Sequence, residues 1–154
     1  MTATPAVASP AARHPLIERL FSEYGFADVT IDRFESFVAQ PGHTVLFFSE
    51  DPVKFRETLD LAVILPELHR AFDGCFRAGV LLPDASKKLY PRFGFRRWPA
   101  FVMLRDGQYL GAIDGIRNWD EYVAEIQRLL ASEPVRAPAV GVAVTANATS
   151  GGAR

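Results

Sequence analysis

Apolar residues first recur at helical spacing at Leu16, Ile17, Leu20, Phe21 and Tyr24, and Gly25 follows them. That pattern predicts a first helix closed by a glycine cap. Asp32 and Glu35 have capping-box spacing. Phe34, Phe37 and Val38 would give a short second helix its apolar face, with Pro41-Gly42 stopping it. Val45-Leu46-Phe47-Phe48 is an unbroken apolar run of strand length, the mark of a central strand covered on both faces. Residues 59–72 are too long for a strand and read as a buried helix, kinked where Pro66 removes a donor. Residues 76–82 read as a strand, and 86–93 as a short helix with Pro91 near its end. Residues 100–104 and 108–113 flank Asp106-Gly107, a strong short-range hairpin signal. Asn118 with Glu121 opens a last helix. Its inward stripe is Trp119, Tyr122, Val123, Ile126, Leu129 and Leu130, and Pro134 ends it.

From Val45 onward the order is strand, helix, strand, helix, hairpin, helix. The strand-helix-strand unit implies a parallel crossover, and the hairpin adds antiparallel strands to the same sheet. The expected class is α/β with a mixed sheet flanked by helices, an order that several mixed α/β folds share. The expected domain covers residues 14–132. Residues 1–13 and the Ala/Val/Gly-rich tail 133–154 bury too little apolar surface to offset their ordering entropy and are expected to be disordered.

Charge and composition narrow the function. A formal net charge of −1 supplies no global attraction to nucleic acid or anionic lipid, so neither is an expected partner. No uncharged apolar run reaches the length of a membrane span, and the Ala/Pro-rich start has no signal-peptide core. One cysteine in the whole chain excludes an intrachain disulfide and fits a reducing cytoplasm, the expected location.

The stretch Tyr90-Pro91-Arg92-Phe93-Gly94-Phe95-Arg96-Arg97-Trp98-Pro99-Ala100, followed by an apolar strand that turns over at Gly107, resembles the second half of a thioredoxin domain. The resemblance selects among the open folds a thioredoxin-like three-layer sandwich with a central mixed sheet of four to five strands flanked by helices, and implies a cis bond before Pro99, close to the loop holding Asp51-Pro52. It also exposes a loss. Redox thioredoxins use two cysteines, one with a lowered pKa at a helix start and one to resolve the mixed disulfide. No cysteine lies between Ser49 and Gly74, and Phe48 replaces the buried aspartate of the family's central strand. Dithiol chemistry is thereby excluded. Cys75, the lone cysteine, reads as a buried small hydrophobe. His14, His43 and His69 lack metal-ligand spacing and read as surface histidines, and Gly111-Ala112-Ile113-Asp114-Gly115 as turn geometry rather than a phosphate loop. No metal, cofactor or catalytic residue is expected.

Ser49-Glu50-Asp51-Pro52 stands where Cys-x-x-Cys would be. Combined with the retained Pro99 and with Gly107-Gln108-Tyr109-Leu110-Gly111 and Gly115-Ile116-Arg117-Asn118-Trp119, it is similar to the thioredoxin-like maturation chaperones of nickel–iron hydrogenase. That resemblance implies a non-catalytic cytoplasmic chaperone. Its partner would be the hydrogenase small-subunit precursor, which carries a twin-arginine signal peptide, with other maturation proteins as further candidates. The expected binding residues are Glu50, Asp51, Pro52, Phe55, Glu57, Asp60, Phe95, Trp98 and Pro99. The carboxylates would meet arginines, the aromatic rings the apolar segment, and the main chain before Pro99 an extended peptide. Lys87, Lys88, Arg92, Arg96 and Arg97 border the same groove. Two other readings stand beside it: a peptide-binding thioredoxin-like module of another assembly, and a monothiol oxidoreductase using Cys75.

Overall fold

A computed structural model describes residues 13–138. The expected disorder of residues 1–12 and 139–154 lies outside the described residues. In chain order the elements are helix α1 (Pro15–Ser22), strand β1 (Ala27–Asp28), helix α2 (Phe34–Val38), β2 (His43–Phe48), α3 (Glu57–Ala71), β3 (Arg77–Leu81), α4 (Pro83–Leu89), a 3-10 turn (Tyr90–Arg92), β4 (Ala100–Arg105), β5 (Gln108–Asp114) and α5 (Trp119–Leu130). The strands form one sheet in the order β1-β3-β2-β4-β5. β1, β3 and β2 run parallel, while β4 and β5 are antiparallel additions, as the hairpin and crossover required.

Alternation along β2 divides the core. Val45 and Phe47 face a layer made by α1, α3 and α5, where Leu20, Leu65, Tyr122 and Ile126 are buried. Leu46 and Phe48 face the opposite layer, where α2, α4 and the Phe93–Phe95 segment pack. Every residue from Thr44 to Phe48 is buried, so the continuous apolar run is the doubly covered strand that its pattern predicts. Asp106 and Gly107 both take positive φ, 53° and 82°, the backbone of a tight two-residue hairpin turn. At the start of α5 both halves of the Asn118–Glu121 capping box form.

Several local expectations fail. The Asp32–Glu35 box does not form: α2 begins at Phe34 behind Arg33, with no side-chain cap. β1 carries no strand pattern of its own and exists through parallel pairing with Gly79 and Val80. Helix α4 opens three residues before the predicted start, with Pro83 in its first turn, a position that suits a residue lacking N–H. Trp119 opens α5 on the same stripe as Tyr122 yet stays 44% exposed. Cys75 is exposed, not buried. The segment after α5 does not leave the domain at Glu133. Arg105 donates to the Ser132 carbonyl and the Glu133 carboxylate, the Val135 N–H donates to the Tyr109 carbonyl at 2.9 Å, and Ala137 packs against the α2/α4-side core.

Candidate functional site

The antiparallel register pairs Phe48 with Ala100. The loop after β2 and the residues before β4 therefore emerge at the same end of the sheet. The Trp98–Pro99 bond is cis. Pro99 is buried, and its carbonyl accepts the Gly115 N–H at 2.9 Å, which ties the β5–α5 turn to the same place. Trp98 is half-buried, and its N–H and C=O have no hydrogen-bond partner among the described residues.

The loop after β2 is held by its own polar groups. Ser49 Oγ donates to the Leu81 carbonyl at 2.6 Å, and Ser86 Oγ donates to the same oxygen at 2.9 Å. The Glu50 N–H donates to Thr58 Oγ1 on α3, and the Asp51 N–H to Glu50 Oε1. Asp51 Oδ1 accepts the Val53 N–H, and the Asp51 carbonyl accepts from Lys54 and Phe55. These bonds join β2, β3, α3 and α4 and fix the loop without cysteines.

The nine nominated residues do not form one surface. Glu50, Asp51 and Pro52 line a cleft of about 540 Å³. Glu57 and Asp60 lie in the first turn of α3, exposed and outside the cleft, and Phe55 is half-buried in the loop that leads there. Trp98 and Pro99 do not line the cleft; they precede β4, at the same end of the sheet. Phe95 is a correction: only 5% exposed, its ring sits 5.2 Å from Phe48 and 4.9 Å from Trp98, inside the core. It supports Trp98 and has no face left for a ligand. Glu50 is also 5% exposed, where the sequence suggested a surface charge.

The cleft's other walls come from the start of α1 and from the β3–α4 turn, with Leu82, Pro83, Asp84 and Lys87. The missed signal was topological: in α/β sheets crevices open beyond the carboxyl ends of parallel strands, and both β2 and β3 end here. Of the basic residues expected nearby, Lys87 lines the cleft. Arg92 instead pairs with Glu35 and covers the Phe34 ring, and the Arg96 and Arg97 main-chain N–H groups donate to Asp114. Among the described residues no group of three His, Cys, Asp or Glu is placed to hold a metal ion, and no helix is long and apolar enough to cross a membrane.

The family model of the hydrogenase-1 expression protein HyaE matches residues 16–122. The chain belongs to the HyaE family. HoxO of Cupriavidus necator, a hydrogenase expression/formation protein, is 44% identical over 139 residues, covering 89% of this chain and 86% of that protein. HupG of Rhodobacter capsulatus, of the same description, is 35% identical over 131 residues, covering 84% and 95%. The crystal structure of a HupG-type hydrogenase expression/formation protein from Rhodopseudomonas palustris CGA009 is 37% identical, with a TM-score of 0.48, covering 68% of this chain and 95% of that one.

Proposed function

We propose that this HyaE-family protein is a non-catalytic cytoplasmic chaperone that holds the small-subunit precursor of nickel–iron hydrogenase by its twin-arginine signal peptide before export. Family membership supports the link to hydrogenase formation. The observation that carries the peptide-binding reading is the Trp98 N–H and C=O, without a partner among the described residues, at the same end of the sheet as a hydrogen-bonded, carboxylate-bearing loop. An extended peptide pairs with such groups as it would with a strand edge, and the carboxylates meet its basic end. Cys75 is the only thiol in the chain and lies at the start of β3, the opposite end of that strand from the loop, so the same surface offers a partner no sulfur chemistry.

Calorimetry of the purified precursor, with and without its signal peptide, tests this. The reading expects saturable binding that is lost when the signal peptide is removed. Equal binding of both forms would move the contact to the mature subunit, and no binding of either would remove the chaperone assignment.

A further inference from the structure

The cleft bounded by α1, the loop after β2 and the β3–α4 turn has the volume of a ligand site, about 540 Å³. Glu50 stands in its wall with 5% of its surface exposed. Its Oε1 accepts the Asp51 N–H at 2.9 Å. Its Oε2 accepts nothing from the described residues, and no cationic side chain there reaches ion-pair distance. That oxygen is not sealed in the core either, because among the described residues the only wholly enclosed side-chain polar atom without a partner is His43 Nε2. Oε2 therefore opens into the cleft. A carboxylate this far withdrawn from water is costly unless a donor meets it.

The charges around it fix the sign of that donor. Asp51 and Asp84 add two carboxylates. Arg13, also in the lining, already pairs with Glu18 at 3.0 Å and Asp28 at 3.2 Å. Lys87 is the one cleft-lining lysine, with no ion pair among the described residues. The unpaired balance is negative. Ile17, Leu82 and Pro83 make the remaining wall apolar.

We infer that this cleft is a guanidinium-binding subsite with Glu50 Oε2 as the acceptor, distinct from the Trp98 main chain. A planar, weakly hydrated guanidinium can donate to Oε2 and lie flat on apolar walls, whereas a compact, strongly hydrated ammonium cannot lie flat there. Among the described residues no group of three His, Cys, Asp or Glu is placed to hold a metal ion. That the guanidinium arrives on an arginine of the precursor rests on the function proposed above. The charge preference of the cleft does not.

The test titrates the full chain with N-acetyl-argininamide, N-acetyl-lysinamide and the neutral citrulline analogue, following main-chain amide shifts by NMR. The arginine derivative is expected to saturate with shifts at Asp51, Asp84 and Lys87, the lysine derivative to bind more weakly, and the citrulline analogue not at all. Glu50→Gln keeps an acceptor for the Asp51 N–H and should weaken arginine binding by about tenfold or more. Lys87→Ala should tighten it. Equal binding of the citrulline analogue, an unchanged affinity in Glu50→Gln, or weakening in Lys87→Ala would overturn the assignment, as would shifts scattered away from the cleft. The precursor separates the two proposals. If argininamide binds through Glu50 but the precursor does not bind, the cleft stands and the chaperone reading falls. If the precursor binds Glu50→Gln as well as wild type, the chaperone reading stands and the precursor's arginine is not what the cleft takes.

Discussion

The ring of Phe48 stands edge-on to that of Phe95, with centroids 5.2 Å apart and planes at 65°. Phe93 meets the same ring at 5.7 Å, and Phe48 is fully buried. Where a thioredoxin-like redox site would keep a buried acid, this chain has closed the space with interlocking aromatic edges. The position is now part of the core. Phe48→Asp should therefore lower the unfolding free energy by about 3–5 kcal/mol, from the lost ring and the buried carboxyl together. A urea midpoint close to wild type would show that the pocket accommodates an acid after all.

Cys75 gives the second expectation. Partial loss of hydration pushes its thiol above the ordinary range and the charge of Asp73 adds to this, against a smaller lowering by its main-chain hydrogen bond. A raised pKa leaves little thiolate at neutral pH, so alkylation should be slow there and still rising at alkaline pH. Insulin should not be reduced above the dithiothreitol background. Cys75→Ser should leave both stability and partner binding unchanged, and a loss of either would give the thiol a role.

Tyr122 ties stability to alkaline pH. Its hydroxyl donates to the Gly115 carbonyl and accepts the Arg117 N–H at 3.2 Å each, joining α5 to the turn that meets Pro99. Burial raises its pKa most, with Asp60 and Glu121 adding and Arg117 opposing. The unfolded phenol, with its pKa at about 10, ionises first, so stability should be full below that value and fall as pH rises through the folded pKa. Tyr109, also raised by burial, contributes in the same direction. Tyr122→Phe should flatten the decline, and an unaltered slope would assign it to other groups.

Two glycines without positive φ mark the tightest packing. A Cβ on Gly79 would lie 2.6 Å from Phe37 and from Val29, and one on Gly111 would lie 2.6 Å from Leu129 Cδ2. Gly79 is pressed between two side chains, one of them a stiff ring. Gly111 meets the tip of one flexible leucine. Gly79→Ala should cost about 1–3 kcal/mol and Gly111→Ala less, by denaturant titration. The reverse order would mean that α2 yields more readily than α5.

What the sequence made legible follows from how locally each feature is specified. The β4–β5 hairpin and the α5 cap are written in adjacent residues, Asp106-Gly107 and Asn118 with Glu121, and form as read. β1 has no such signal, because Ala27 and Asp28 are strand residues only through Gly79 and Val80. The site was half legible for the same reason. Loss of the cysteines and retention of Pro99 are visible in the chain. Burial of Glu50 and Phe95 depends on what α3, α4 and β4 place over them, and no spacing rule contains that. Trp119 failed in the opposite direction: its helical phase is inward, but it opens the helix and stays 44% exposed.

That difference in burial ranks the carboxylates the sequence had treated as equals. Glu57 is exposed at the start of α3, where an ion pair with a partner is worth about 0.2–1 kcal/mol. Glu50 is desolvated before any partner arrives, so a pairing guanidinium meets it at lower dielectric and restores the donor it lacks. Glu50→Gln should therefore weaken precursor binding more than Glu57→Gln, by about tenfold against less than about fivefold. Raising salt from 0.05 to 0.5 M, values on the order of those that shorten the Debye length several-fold, should erase the Glu57 effect first. Trp98→Ala should act by a different route, losing ring contact while leaving the main-chain groups in place, so its effect should add to that of Glu50→Gln. Calorimetry on the three variants and the Glu50/Trp98 double variant decides it. Equal losses at Glu50 and Glu57 would make the basic end of the ligand a surface contact and leave the cleft unused.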